Sequence, residues 1–171
     1  MKRTQRGEGV VGRVEFETLS ASVVAGSTMG LLEVIASVAS GEGALLPLRN
    51  AASVVLRDHA FGSNALFIGL VGIFVHFCIA IMFAFAYGVF ASQLAWAKRV
   101  RGPVQALLGA AFGSLVWLLN FQLIGRLFYP WMFDHSQLAQ WLIHAVGFGI
   151  PLGLLLAEQE PPLRIGEKPE L

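Results

Sequence analysis

The sequence predicts an all-α polytopic membrane protein with four transmembrane helices, and two observations support this fold class. Of the 171 residues, 56% are hydrophobic and only 13% are charged, whereas a soluble domain is about 25% charged. Four apolar stretches also run through the chain, at residues 19–40, 65–97, 103–124 and 138–157. Each reaches the ~20 residues that a helix needs to cross ~30 Å of hydrocarbon. Because none of them alternates apolar with polar residues, a transmembrane barrel is not indicated.

The first two stretches differ from a plain transmembrane helix. The first has the basic start of a signal peptide, but Glu33 interrupts its apolar region, so we expect a retained signal-anchor helix. The second stretch is longer than the membrane requires, and we expect it to tilt or to project past the membrane near Trp96. The single cysteine, Cys78, excludes an internal disulfide and a cysteine-based zinc cluster. We expect its side chain to be a small core residue.

A short helix is predicted between the first and second stretches. Pro47 opens the segment, and proline favours the first helical turn. Its two-faced pattern is typical of a helix lying in the outer membrane interface. The predicted apolar face holds Leu48, Ala51, Ala52 and Val55, and the predicted polar face holds Arg49, Ser53 and Arg57. Between the third and fourth stretches, an aromatic cluster is predicted to lie at headgroup level. It consists of Phe128, Tyr129, Trp131 and Phe133.

The distribution of lysine and arginine predicts which side of the membrane each terminus occupies. Nine of the twelve basic residues lie near the chain ends or between the second and third stretches: Lys2, Arg3, Arg6, Arg13, Lys98, Arg99, Arg101, Arg164 and Lys168. The other three are Arg49, Arg57 and Arg126. Because cytoplasmic loops carry the excess of positive charge, we expect a multi-pass protein of the cell (inner) membrane with both termini cytoplasmic. Residues 1–18 would form the cytoplasmic N-terminal segment, residues 19–157 the transmembrane domain and residues 158–171 the cytoplasmic tail.

Small residues predict which helix faces pack together. Gly26 and Gly30 form a GxxxG motif in the first stretch, and Gly109 and Gly113 form another in the third. Small residues let helix backbones approach closely in lipid, so these faces are expected to point into the bundle. The second stretch carries a similar face, made of Gly69, Gly72, His76, Ala80 and Ala84.

One polar residue lies on the predicted inward face of each stretch. These residues are Glu33, His76, Asn120 and His144. A rise of ~1.5 Å per residue places all four in the outer half of the membrane. Placing an ionisable group in hydrocarbon raises the free energy of membrane insertion by at least ~2.5–3.5 kcal/mol. Such a group therefore marks a candidate functional site. We therefore expect a buried polar layer that opens outward.

Three interpretations of this layer follow from its residue types. It could be structural, with hydrogen bonds across helices in which Glu33 accepts from a histidine or from Arg126. It could respond to protons or to a ligand, because glutamate and histidine exchange protons in such a site. It could also hold a metal or haem, with Glu33, His76 and His144 as candidate ligands. Tight ligand spacing on one helix is absent, so no metal is assigned and no cofactor is predicted.

Short motifs in three of the stretches resemble a known protein family. They are Gly30-Leu31-Leu32-Glu33, Val75-His76 and Ile143-His144-Ala145-Val146-Gly147. They are similar to motifs of small, largely uncharacterised four-helix bacterial membrane proteins, some of which carry the label "sodium:proline symporter". The resemblance covers roughly residues 24–156; it implies the four-helix fold and the choice of Glu33, His76 and His144. It implies no established activity, since this chain is far too short for a sodium symporter and has no pair of discontinuous helices.

Two functional classes remain open. The first is an accessory or scaffold subunit of a larger membrane complex, packed against lipid and against other membrane subunits or further copies of itself. The second is a small autonomous membrane protein that binds or senses a ligand, a proton, a metal or haem at the polar layer. An enzyme is not expected, because GxSxG, Walker A, GxGxxG and paired intramembrane carboxylates are absent. A net charge of +1 provides no field to attract nucleic acid, so no nucleic-acid partner is expected.

Overall fold

A computed structural model describes residues 2–62, 64–94 and 102–159, with side chains for residues 16–62, 64–94 and 102–157. Four helices are long and apolar enough to cross a membrane. Their membrane-crossing parts, called spans 1 to 4, are Phe16–Ala39, Ala65–Gln93, Pro103–Phe128 and Gln137–Ala157. The residues described contain helices and no strand. The predicted all-α, four-helix membrane fold is therefore confirmed.

Several helix ends differ from those read from hydropathy. The helix of span 1 runs over Lys2–Ala39, so it begins within the predicted N-terminal segment. The helix of span 2 ends at Gln93, because Leu94 leaves the helical conformation with φ −96° and ψ 84°. Span 3 continues to Phe128, four residues beyond the predicted end at Ile124. The predicted projection near Trp96, the basic residues among 95–101 and the part of the predicted cytoplasmic tail from residue 160 onward lie outside the described residues.

The predicted short helix between spans 1 and 2 is present as Leu46–Leu56, called the connecting helix. A single helical turn, His59–Gly62, follows it. The connecting helix packs against span 2, where Gly72 lies directly against the backbone of Leu48. A Cβ at Gly72 would overlap the Leu48 carbonyl, so this contact requires glycine.

The predicted two faces of the connecting helix are wrong in part. Ser53, expected on the polar face, is fully buried, and Val55, expected on the apolar face, is 59% exposed. The Ser53 hydroxyl donates to Asn50 O at 2.7 Å and accepts from Trp131 Nε1–H at 3.0 Å. The aromatic cluster before span 4 docks on the Ser53 side of the connecting helix. The small Ser53 side chain is therefore buried, and the larger Val55 side chain points outward.

The four spans pack as two hairpins that meet through spans 1 and 4. Span 1 packs against both span 2 and span 4, and span 3 packs against span 4. Spans 2 and 3 approach each other less closely, and their aromatic contact is Tyr87 against Phe112, with ring centroids 5.0 Å apart. The arrangement therefore leaves a seam between spans 2 and 3.

One half of the bundle is filled with side chains. The cluster of buried residues there is Ala21, Ala25, Ala80, Phe83, Ala84, Tyr87, Val116, Phe148 and Leu152. These residues lie toward the end of the bundle that is remote from the connecting helix. Cys78 is exposed, so the prediction that it is a core residue is wrong. The opposite end, which carries the connecting helix and a 3₁₀ turn over Pro130–Phe133, is called the rim end.

Candidate functional site

Spans 3 and 4 cross at glycines that bring their backbones into contact. A Cβ at Gly109 would overlap the carbonyl of Gly149, and a Cβ at Gly113 would overlap the carbonyl of His144. The glycines of span 4 that face this crossing are Gly149 and Gly153. These two form a GxxxG motif of their own, Gly149-Ile-Pro-Leu-Gly153, which was not among the faces predicted to pack together. The close crossing fixes the position of His144.

Spans 1 and 2 cross in a similar way at the other GxxxG motif. A Cβ at Gly26 would lie 3.1 Å from the Cβ of Ala80. A Cβ at Gly30 would lie 3.4 Å from His76 Nε2. The glycines of span 1 therefore make room for the His76 ring at the helix crossing.

Two of the four predicted polar residues lie in π-helical segments. Span 3 changes from α-helix over Pro103–Trp117 to π-helix over Leu118–Gly125, which holds Asn120, and then to α-helix over Arg126–Phe128. Span 4 is α-helical over Gln137–Leu142, π-helical over Ile143–Gly149, which holds His144, and α-helical again over Ile150–Gln159. π-Helical turns are rare and often occur at functional sites. The segment of span 3 lies in the half of the bundle nearer the rim end, and the segment of span 4 extends from that half across the middle of the span.

Glu33, His76, Asn120 and His144 all line one cavity of about 340 Å³. We call it the polar cavity. Its base is formed by Phe83, Val116 and Phe148 at the edge of the filled half, and it extends to the rim end. The structure thus brings one polar residue from each span to a common space. Their role there stays a prediction.

Each histidine of the cavity is held by a backbone carbonyl. His76 Nε2–H donates to Gly26 O at 2.9 Å, and His144 Nδ1–H donates to Gln140 O at 2.8 Å. The His144 ring, of which 2% is exposed, also lies edge-to-face against Phe121 at 5.3 Å. A carbonyl only accepts, so these two ring nitrogens carry the hydrogens. In the neutral form of either ring, the second nitrogen is an acceptor.

Several hydrogen-bond acceptors of residues that line the cavity have no partner in the part of the chain that the structure describes. Among the described residues, Asn50 Oδ1 and Gln140 Oε1 are buried without a hydrogen-bond partner. Both residues line the cavity. Glu33 accepts no hydrogen bond from the residues that the structure describes, because the histidines donate to carbonyls and Arg126 donates to Gln122 at 2.8 and 3.1 Å. The direct cross-helix bonds expected for Glu33 are therefore not formed.

Three side chains form a hydrogen-bonded bridge at the rim end, called the rim bridge. His135 Nδ1–H donates to Glu42 Oε1 at 3.1 Å, and Asn50 Nδ2–H donates to His135 Nε2 at 3.0 Å. The bridge joins the end of span 1, the connecting helix and the segment before span 4, and all three residues line the cavity. The sequence gives no signal for Glu42 or Asn50, since neither lies on a recognisable motif.

The aromatic cluster before span 4 reinforces this end of the bundle. Tyr129 Oη–H donates to Val54 O at 3.0 Å, and Arg57 lies over the Tyr129 ring at 4.8 Å. Trp131 packs edge-to-face against Phe61 at 5.9 Å. The cluster predicted to lie at headgroup level thus also anchors the connecting helix.

The candidate metal ligands do not form a ligand set in the part of the chain that the structure describes. There, no three His, Cys, Asp or Glu side chains are grouped so that they could hold a metal ion. Metal or haem binding by Glu33, His76 and His144 stays a prediction from the sequence. The chain matches no protein-family model, no curated protein and no solved structure. The functional conclusion therefore rests on the geometry of the polar cavity.

Proposed function

We propose that the protein binds a small molecule with a positively charged amine group in the polar cavity of its membrane domain. The observation that carries this proposal is the set of acceptors without a partner in residues that line the cavity, above all the Glu33 carboxyl group. Asn50 Oδ1 and Gln140 Oε1 have no partner, and Glu33 has no donor, among the described residues. An ammonium group brings three donors and no acceptor, so it suits the carboxylate of Glu33.

The charged residues that line the polar cavity favour a positively charged ligand. Two carboxylate residues line the cavity, Glu33 within span 1 and Glu42 at the rim end, and Glu42 is bonded to His135. No lysine or arginine of the described chain lines it. A charge removed from water costs several kcal/mol unless it is paired. An ammonium beside Glu33 would supply that pairing, and the free histidine nitrogens would accept further hydrogen bonds.

The size and the remaining lining of the cavity fit a small amphipathic ligand. Ligand pockets commonly enclose ~300–1,000 Å³ and combine apolar walls with a few polar groups. The cavity, at about 340 Å³, lies at the small end of that range. Met29, Phe83, Phe121 and Phe148 provide apolar walls near Glu33 and the histidines. We therefore expect an apolar body attached to the amine.

A matched series of probes tests the proposal. Phenethylamine, 2-phenylethanol and phenylacetate share one ring and differ in charge and in hydrogen-bonding groups. Each is added to the protein in zwitterionic nanodiscs, and the thermal unfolding midpoint is measured. A ligand that binds only the folded state raises this midpoint. We expect the largest increase with phenethylamine, a smaller one with the alcohol and none with the carboxylate.

A pair of variants connects the result to the cavity. Glu33→Gln should abolish the shift caused by phenethylamine, because the carboxylate that pairs with the amine is gone. Glu17→Gln makes the same chemical change in the same span at a residue that does not line the cavity, and it should keep the shift. Equal shifts with all three probes, or an amine shift that survives Glu33→Gln, would contradict the proposal.

A second candidate function, an accessory subunit of a membrane complex, is favoured by open glycines on span 2. A Cβ at Gly69 or Gly88 would meet no atom within 4 Å. Gly69 was expected to face inward, and this expectation is wrong. Glycines on an open face let another transmembrane helix approach closely. Purification in mild detergent tests this function: stable co-purifying membrane proteins support it, and a lone small oligomer contradicts it.

We also propose that the protein resides in the cell (inner) membrane with both termini in the cytoplasm. Nine basic residues near the termini and between spans 2 and 3, against three elsewhere, support this orientation. The rim end of the polar cavity, with its bridge from Glu42 to His135, would then face the outside of the cell.

A further inference from the structure

We infer that the polar cavity takes a single-chain amphiphile directly from the bilayer, with its amine head at Glu33 and its alkyl chain in the seam between spans 2 and 3. This inference rests on the proposed binding of an amine and adds the class of ligand and its route. The route follows from the residues that line the cavity and are also exposed at the surface of the spans.

Two such residues lie on opposite sides of the seam. Met82 of span 2 is 56% exposed and Ile124 of span 3 is 36% exposed, yet both line the cavity. A side chain that faces the cavity and the surface at once is the only layer between them, so its displacement opens the cavity. Since these residues belong to membrane-crossing helices, this lateral opening leads into lipid.

The opening is long in the direction of the helices. Met82 lies 17 residues from the start of span 2 at Ala65, and Ile124 lies four residues from the end of span 3 at Phe128. With a rise of ~1.5 Å per residue, they lie about 25 Å and about 6 Å from the rim end. The distance between these two depths, about 19 Å along the bundle, suits an extended alkyl chain that lies parallel to the lipid chains.

The packing of the spans explains why the opening lies there. Span 2 packs against span 1 and the connecting helix, and span 3 packs against span 4. In the described residues beside the cavity, no hydrogen bond joins span 2 to span 3. The edge-to-face contact of Tyr87 with Phe112 closes the seam beyond the base of the cavity. Along the seam, the wall between the cavity and lipid therefore consists of side chains. No backbone contact between the described residues of spans 2 and 3 contributes to it.

The rim end differs, because polar contacts cross it. The rim bridge joins Glu42, His135 and Asn50 through hydrogen bonds of 3.1 and 3.0 Å. Opening this end requires breaking those bonds. On the rim side of the seam, Tyr129 and Trp131 also donate to the connecting helix. Deeper in the seam, beside Met82, moving the side chains apart breaks no hydrogen bond of the described residues. The lateral route is thus the easier one for a ligand that dissolves in the membrane.

The volume of the cavity limits the occupant. About 340 Å³ is near the lower limit for ligand pockets, which suits one chain and a small head group. A phospholipid with two acyl chains is too large for it. Charge complementarity to Glu33 selects an amine head over a carboxylate or phosphate head.

The test compares a chain-bearing amine with a short one. Dodecylamine and phenethylamine are titrated calorimetrically into the protein in zwitterionic nanodiscs, and the heat from empty nanodiscs is subtracted. Ile124→Trp places a larger side chain in the seam. We expect it to weaken dodecylamine binding at least tenfold and phenethylamine binding by a much smaller factor, because the short amine does not extend into the seam.

A neighbouring substitution is the control. Leu123→Trp adds the same side chain at the adjacent position, which is 53% exposed and does not line the cavity. It should leave the binding of both amines unchanged. Opening the rim by His135→Ala should not increase the association rate of dodecylamine if entry is lateral.

The outcomes separate the inference from the proposed function. If wild-type protein binds phenethylamine through Glu33 but does not bind dodecylamine, the inference is overturned and the proposed function stands. The same holds if Ile124→Trp and Leu123→Trp have equal effects, or if His135→Ala accelerates entry of dodecylamine. If neither amine binds, the proposed function fails, and the inference fails with it.

Discussion

Replacing Gly113 with alanine should destabilise the bundle at the crossing of spans 3 and 4. A Cβ at this position would overlap the carbonyl oxygen of His144 and lie 2.9 Å from its carbonyl carbon and 3.0 Å from the Cα of Ala145. Alanine stabilises a helix by ~0.5–1 kcal/mol relative to glycine. Overpacking, in contrast, destabilises the folded state by ~1–3 kcal/mol. The atoms in the way belong to the backbone and cannot rotate aside, so the cost lies at the upper end of this range. We expect a net loss of about 2 kcal/mol in the free energy of unfolding.

Gly88→Ala is the matched control, because a Cβ at Gly88 meets no atom within 4 Å. It should leave stability unchanged or raise it by ~0.5–1 kcal/mol. Equilibrium unfolding with SDS in mixed micelles, followed by circular dichroism, measures the difference between the two variants. If Gly113→Ala is as stable as Gly88→Ala, spans 3 and 4 do not cross in contact there, and the placement of His144 loses its support.

Two further predictions concern topology and the polar layer. A reporter fused after Leu171 should be active only in the cytoplasm, and one inserted near Ser63 only outside; activity of both on one side would remove the four-span topology. Glu33→Gln and His144→Ala should be non-additive in a double-mutant cycle of unfolding free energies, with a coupling of ~0.5–3 kcal/mol, because residues that share a cavity influence each other. Strict additivity would mean that each is a separate packing contact.

The membrane fold could be predicted because hydropathy is a local property of the chain. Each apolar stretch contains enough residues to span the bilayer, whatever its neighbours are. Helix ends were less accurate, since they depend on capping and on packing. The connecting helix illustrates the limit: Ser53 is buried because Trp131, 78 positions along the chain, donates to its hydroxyl. No periodicity within Leu46–Leu56 contains that information.

The candidate site could be predicted from the sequence only as far as the inward-facing sides of the helices could be predicted. Glu33, His76, Asn120 and His144 share faces with small residues, and these faces do line one cavity. The π-helical turns around Asn120 and His144 could not be predicted, because they form where the helices are packed against their neighbours. Glycine was an imperfect guide to packing, as the open position of Gly69 demonstrates.

The glycine contacts that hold the hairpins together also position the histidines. Gly26 supplies the carbonyl that accepts from His76, and Gly113 lies against the carbonyl of His144. A change at either glycine therefore alters bundle stability and cavity geometry together. Glu33 differs, because among the described residues no hydrogen bond holds its carboxylate. A Glu33→Gln variant that keeps wild-type stability but loses amine binding would thus assign the carboxylate to the ligand and the glycines to the scaffold.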